Sequence, residues 1–290
     1  TGSPVRFGAM TDHVKGKVVV VTGAASGFGR LVAQMVAARG AKVVAADVDA
    51  DGLAATADSI VAAGGEVVHR RTDVTDRADM FGLAAFAVES FGAIDVMVNN
   101  AGIMPLAFYA DHARAADAWD LCIDVNLRGV LNGIMAVHDQ MIGQGRGQVV
   151  NISSIYGNTP LAGSAVYTAT KAAVNVLSET LRIESQGKIK VTVVKPTGVP
   201  GTNLAASMVN GDAMIGILGQ NAASFGEKAA VAWGPGETPE KAAMNDPEDI
   251  RYWAIAPEEL AAQVVYVIDQ PWGISISDIT VRASGDLYLP

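Results

Sequence analysis

The chain has 290 residues, half of them apolar and 18% charged, a globular composition long enough to bury a core without cross-links. Its one cysteine, Cys122, excludes an intramolecular disulfide framework and any multi-cysteine metal site. An excess of 30 acidic over 21 basic residues, net −9, argues against a nucleic-acid partner, because phosphate neutralisation needs clustered positive charge.

No apolar run approaches the roughly 18 to 20 residues that a spanning helix needs. Residues 1–10 lack the apolar stretch of a secretory signal and read as an appended or disordered tail before Met10. Residues 11–290 are expected to form one domain of a soluble, cytoplasmic protein. Within it the spacing predicts a strand over 17–21, a Gly-rich turn, and a helix ending at Arg39, with Gly40 as its stop. A strand over 43–46 ends at Asp47, and a helix over 51–63 stops at Gly64-Gly65. Strands over 67–70 and 96–98 flank a helix over 77–91. Residues 111–141 read as helical with a break near Ala118. A strand over 148–152, a long helix over 165–186 and a strand over 191–194 follow. The pattern lapses between 197 and 256, an irregular stretch expected to act as a substrate lid. It resumes with a helix over 257–269 and a strand over 279–282.

Strands that are apolar at consecutive positions and alternate with helices imply an α/β fold with a doubly wound parallel sheet of about seven strands, helices on both faces. The first strand runs into Thr22-Gly23-Ala24-Ala25-Ser26-Gly27-Phe28-Gly29. Glycines there let the backbone turn tightly and approach a pyrophosphate seated on the positive end of the next helix. Asp47, about 20 residues on, can accept hydrogen bonds from adenosine ribose hydroxyls, and a 2′-phosphate would meet its charge. Val48 and Asp49 follow it and Ser26 is neutral, so NAD is expected over NADP.

Tyr167 and Lys171 stand four apart at the start of the long helix, on one face a turn apart. An adjacent ammonium favours a phenolate, and a phenol so tuned can exchange a proton with an alcohol. Taken alone, the pair is better read as an incidental Tyr and Lys on an ordinary amphipathic helix. The strand before it, however, leads into Asn151-Ile152-Ser153-Ser154, a hydroxyl-bearing turn at the carboxyl edge of the sheet, where open α/β proteins bind ligands.

From Lys17 onward the chain resembles the single-domain branch of the short-chain dehydrogenase/reductase superfamily, whose sheet is Rossmann-like. The residues that carry the resemblance are Thr22 through Gly29, Asp73-Val74, Asn99-Asn100-Ala101-Gly102, and Asn126, Ser154, Tyr167 and Lys171 in order. The resemblance implies a cofactor site made by Gly23, Ser26, Gly27, Phe28, Gly29, Asp47, Asp73, Val74, Asn100, Ala101, Gly102, Tyr167, Lys171, Pro196 and Val199. It implies Tyr167 as general acid/base, Ser154 on the substrate oxygen, and Lys171 on the nicotinamide ribose while lowering the Tyr167 pKa. Asn126 would hold a water leading from Lys171 to solvent, with an amide that braces a helix kink as the lesser alternative. Pro196-Thr197-Gly198-Val199-Pro200-Gly201-Thr202 departs from the family's Pro-Gly pattern, leaving the Val199 backbone to meet the carboxamide and shifting the later Thr by one position.

Ser154, Ile155, Tyr156, Leu161 and Tyr167 are expected on the substrate, with Met104 and Leu106 nearby. Leu204, Met208, Met214, Ile215, Ile217, Leu218, Phe225 and Trp233 would come from the lid, an apolar lining suited to a secondary alcohol or ketone. The four histidines make no ligand-spaced pair, so no metal is expected. Cys122 reads as a packed core thiol. The long helix could pair with its copy in a homodimer or homotetramer. A non-catalytic NAD-binding sensor on the same fold is the alternative to a dehydrogenase.

Overall fold

The computed structural model describes residues 12–288; the proposed tail at 1–10 lies outside them. Valine-rich runs make the strands: β1 (Val18–Thr22), β2 (Lys42–Asp47), β3 (Glu66–Arg71), β4 (Val96–Asn99), β5 (Gly147–Ile152), β6 (Ile189–Pro196) and β7 (Asp278–Val281). They form one sheet in the order β3-β2-β1-β4-β5-β6-β7, each pair parallel. The order reverses between β1 and β4, so a crevice opens at the carboxyl ends of those strands.

Alternate residues of each strand enter opposite layers. Val19 and Val21 join the core beneath α1 (Gly27–Ala38), α2 (Ala50–Ala62) and α10 (Pro257–Ile268). Val18 and Val20 join the core beneath α3 (Arg77–Phe91), α5 (Gly129–Gln144) and α6 (Ala165–Glu184). Helix boundaries have local causes. The Asp49 carboxylate caps α2 through Gly52 N–H, Asp76 caps α3 through Ala78 and Asp79, and left-handed Gly92 and Gly145 end α3 and α5. Among the described residues no helix is long and apolar enough to cross a membrane.

Two expectations need correction. The long helical stretch breaks not near Ala118 but at a π-turn, Asp124–Arg128, between α4 (His112–Ile123) and α5. Ala118 has no reason to interrupt a helix, whereas Asn126 draws the turn out of register by bonding the backbone of Ile103. The segment 197–256 is also not irregular: it folds into α7 (Ala213–Leu218), α8 (Ala222–Ala232) and α9 (Pro239–Asn245) with 3₁₀ turns between. Thr238 caps α9 ahead of Pro239 at its first position.

Buried amides fasten α6 to the sheet. Asn99 donates to Asn151 at 2.8 Å, Asn151 donates to Ser178 at 2.8 Å, and Ser178 donates to the Val174 carbonyl at 2.7 Å. All three side chains are buried. Asn151→Ala leaves a donor on Asn99 and an acceptor on Ser178 unmet, an expected loss of about 2–4 kcal/mol in denaturant unfolding. A change within experimental error would show that the network does not hold α6 in place.

Candidate active site

The turn after β1 is shaped by backbone contacts. Gly23 is left-handed (φ +68°), and a Cβ there would lie 2.7 Å from Asn100 Nδ2. A Cβ on Gly29 would overlap the Gly23 carbonyl, so only glycine lets α1 start this close to the turn. Thr22 Oγ1 accepts from the backbone N–H groups of Asn100 (3.0 Å) and Ala101 (3.2 Å), while Asn100 Nδ2 donates to the Thr22 and Gly23 carbonyls. The ends of β1 and β4 are thereby locked together at the crevice. Asp47 Oδ2 accepts from Ala25 N–H at 3.0 Å and Oδ1 from Asp49 N–H at 3.1 Å, so its carboxylate is fixed at the turn with lone pairs to spare. Asp73 is tied into its own loop by Thr75, and Val74 is buried against α5.

Ser26 begins α1 without a side-chain cap, and its hydroxyl meets Asn203 Nδ2 at 3.3 Å. Thr202 Oγ1 donates to the Val199 carbonyl at 3.1 Å, and its Cβ is 3.9 Å from where a Gly27 Cβ would stand. The start of the 197–256 segment thus covers the glycine turn. Phe28, Pro196 and Val199 lie at or beside this crevice, Phe28 buried and the other two half-buried. The glycine turn, the N-terminus of α1 and a fixed carboxylate at the next strand end are of a kind that would suit a dinucleotide, pyrophosphate on the turn and adenosine ribose toward Asp47.

Tyr167, Lys171, Ser154 and Asn126 are all buried. Lys171 Nζ donates to the Ile152 carbonyl at 2.8 Å and sits 5.8 Å from the Tyr167 ring centroid. A Cβ on Gly102 would lie 3.3 Å from Asn126 Oδ1 and 3.6 Å from Lys171 Nζ, so both groups converge on that glycine. Burial pushes the Tyr167 phenol up to about 12, against a hydrogen bond from Ser154 that pulls it down. Burial also pushes the Lys171 ammonium down to about 8. The expected lowering of Tyr167 by Lys171 does not appear among the influences on the phenol, and desolvation penalises the phenolate and the ammonium alike. Asn126 spends both ends of its amide on Ile103, accepting from its N–H at 2.9 Å and donating to its carbonyl at 2.8 Å. It is the brace of the π-turn, beside Lys171.

Around Tyr167, the side chains of Ile155, Tyr156, Leu106, Cys122, Ala213, Ile217 and Leu218 pack with it in one buried cluster. Met104, Leu161, Met208, Met214 and Phe225 line it. Ile215 and Trp233 do not belong to that lining; both are more than half exposed. Cys122 is fully buried and its thiol is pushed up to about 11, as a packed thiol should be.

Sequence reasoning missed the clamp made by Thr22, although the Thr of the Thr-Gly pair was in view. It missed the support of Asn126 by Cys122 and Thr170, each 3.3 Å from its Nδ2. It missed Tyr288 altogether. That ring lies against Gly198, where any Cβ would overlap it, and packs edge-on to Phe225 with centroids 5.6 Å apart. No motif marks Tyr288; only the fold returns it to the exit of β6.

The chain is similar to known proteins in sequence and in fold. Residues 17–212 match the family model described as short chain dehydrogenase. An uncharacterized oxidoreductase of Listeria monocytogenes, Lmo0432, is 33% identical over 271 residues, 92% of this chain and 96% of its own. The 2,5-dichloro-2,5-cyclohexadiene-1,4-diol dehydrogenase LinX of Sphingobium indicum is 36% identical over 191 residues, 66% of this chain and 76% of its own. A short-chain dehydrogenase/reductase of Burkholderia phymatum in complex with NAD superposes with a TM-score of 0.72 at 29% identity, covering 93% of this chain and 90% of that one. A serine dehydrogenase complexed with NADP+ does so with a TM-score of 0.73 at 28% identity, covering 91% and 94%. Matched by family model, by full-length relatives and by superposition on solved structures, this chain is an oxidoreductase that belongs to the short-chain dehydrogenase/reductase superfamily.

Proposed function

We propose that the protein is an NAD-dependent alcohol dehydrogenase or carbonyl reductase that interconverts a fairly apolar secondary alcohol and its ketone. The observation that carries this reading is that Tyr167, Ser154 and Lys171 are buried together at the sheet edge beside the glycine turn, with Lys171 Nζ 5.8 Å from the Tyr167 ring centroid. A nicotinamide, when bound, would supply the hydride acceptor or donor for this exchange. Ser154 holds the substrate oxygen and Tyr167 passes its proton. Lys171 stands where the nicotinamide ribose would lie, and its position beside Gly102 and Asn126 supports that role. The Val199 backbone would take the carboxamide. The 197–256 segment acts as the lid of a single domain, its Thr202 and Asn203 already against the turn. Exposed Val176 and Ile183 on α6 support a homodimer or homotetramer built on that helix, working in the cytoplasm.

Purified protein with NAD and a panel of cyclic, aromatic and steroidal alcohols should show reduced cofactor by absorbance; silence across the panel with both NAD and NADP would contradict the reading. The pH dependence has a definite sign. Alcohol oxidation needs the basic form of Tyr167, which burial makes scarce at neutral pH. Its kcat/KM should climb by up to about tenfold per pH unit below the phenol pKa, while ketone reduction, which uses the protonated form, should not rise. An oxidation profile that falls through neutrality would exclude Tyr167 as the base.

A further inference from the structure

Buried polar side-chain atoms without a partner are few among the described residues, and three of them gather around Tyr288. They are the Tyr156 hydroxyl, Thr197 Oγ1 and Asp286 Oδ2. Thr197 adjoins Gly198, on which the Tyr288 ring rests. Arg282 donates to Asp286 Oδ1 and to the Tyr288 carbonyl, both at 2.6 Å, and the Asp286 side chain is 2% exposed. Tyr156, itself buried, shares with Tyr167 the cluster against which Tyr288 packs. The segment is held in place from the lid side: Asn221 donates to the Leu287 carbonyl at 2.9 Å and Lys228 to the Gly285 carbonyl at 3.0 Å.

A buried hydroxyl or carboxylate oxygen left unpaired is costly, so such groups point to something polar that completes them. We propose that the Tyr156 hydroxyl and Asp286 Oδ2, with Tyr288 as the wall that carries them, bind a second hydroxyl of the substrate, remote from the carbinol that reacts at Tyr167. The substrate class is then a neutral diol, and this rests on the dehydrogenase reading above. Arg282 already balances the Asp286 charge, which favours a neutral donor over an ammonium. Burial, reinforced by the nearby Asp286 carboxylate, drives the Tyr156 phenol upward, so it stays a protonated donor at working pH. In the reaction the carbinol C–H bond breaks with its electron pair passing to the oxidised nicotinamide. The O–H proton passes to Tyr167, and the diol leaves as a hydroxyketone with its second hydroxyl untouched.

The test compares cis-cyclohexane-1,4-diol with cyclohexanol. The diol should be favoured in kcat/KM by at least about tenfold, because a site built to bond a hydroxyl rejects the analogue lacking it. Tyr156→Phe should bring that ratio to within about twofold and leave the melting temperature of the free protein unchanged or higher, since the lost hydroxyl has no partner there. Asp286→Asn, which swaps the acceptor for a donor, should also shrink the ratio. Equal use of both alcohols by the unaltered protein, or a ratio that survives Tyr156→Phe, overturns the second-hydroxyl site while leaving the dehydrogenase reading intact. If neither alcohol turns over, calorimetric titration of the same pair into the NAD-loaded protein still decides the proposal: tighter diol binding supports it and equal binding overturns it.

Discussion

Tyr167→Phe is expected to lower kcat/KM by about 10²–10⁴-fold, the usual contribution of a positioned acid or base, while dinucleotide binding stays as it was. The separation follows from where the hydroxyl sits. Tyr167 is buried in the cluster with Ile155, Tyr156 and Leu106, whereas the turn that would hold pyrophosphate is built by Gly23, Gly29, Thr22 and Asn100 on other elements. Removing one oxygen leaves the ring packed and the turn untouched. Steady-state kinetics and a cofactor titration on the same preparation read both halves. Loss of binding together with turnover would mean that the substitution disturbs the fold. Full turnover with intact binding would leave only a protein that holds a dinucleotide without using this tyrosine.

Cofactor choice is the second large effect. The protein should prefer NAD to NADP by at least about 10²-fold in kcat/KM, because a 2′-phosphate would stand a few ångströms from the Asp47 carboxylate and like charges there cost several kcal/mol. Arg71 is the register partner of Asp47, so a cation is close by. The Asp47 carboxylate, however, turns to the Ala25 N–H, facing the turn. Arg30 is also committed: its Nε donates to Thr56 at 2.9 Å and its guanidinium to the Ala25 carbonyl. Asp47→Asn keeps an acceptor for Ala25 and removes the charge, so it should narrow the preference by about tenfold or more. Equal use of the two cofactors by the unaltered protein would assign the ribose end to Arg71 instead.

The sheet was legible because its central strands β1, β2 and β4 are apolar runs rich in valine, buried on both faces, with Gly64, Gly92 and Gly145 just past the ends of helices between strands. The site was legible where short-range chemistry fixes it: glycines that must lack a Cβ, an acid at a strand end, a Tyr and Lys a turn apart. What escaped depends on contacts distant in sequence. The π-turn at Asp124–Arg128 is set by Asn126 reaching Ile103, and nothing near Asn126 in the chain announces that. The helices of 197–256 are six to eleven residues long, too short for periodicity to separate them from loop. The low basicity of Lys171 comes from burial, which spacing does not report. Tyr288 reaches the crevice only because β7 pairs with β6 and the chain then folds back over Gly198.

The account stands on a hydrogen leaving carbon with its electrons while Tyr167 handles the proton. A secondary alcohol carrying deuterium on its carbinol carbon reads this directly, by mass spectrometry of the reduced cofactor. The label should appear on the nicotinamide in full, with a slower turnover than the unlabelled alcohol gives. Deuterium lost to water, or retained on the product carbon, would contradict the account.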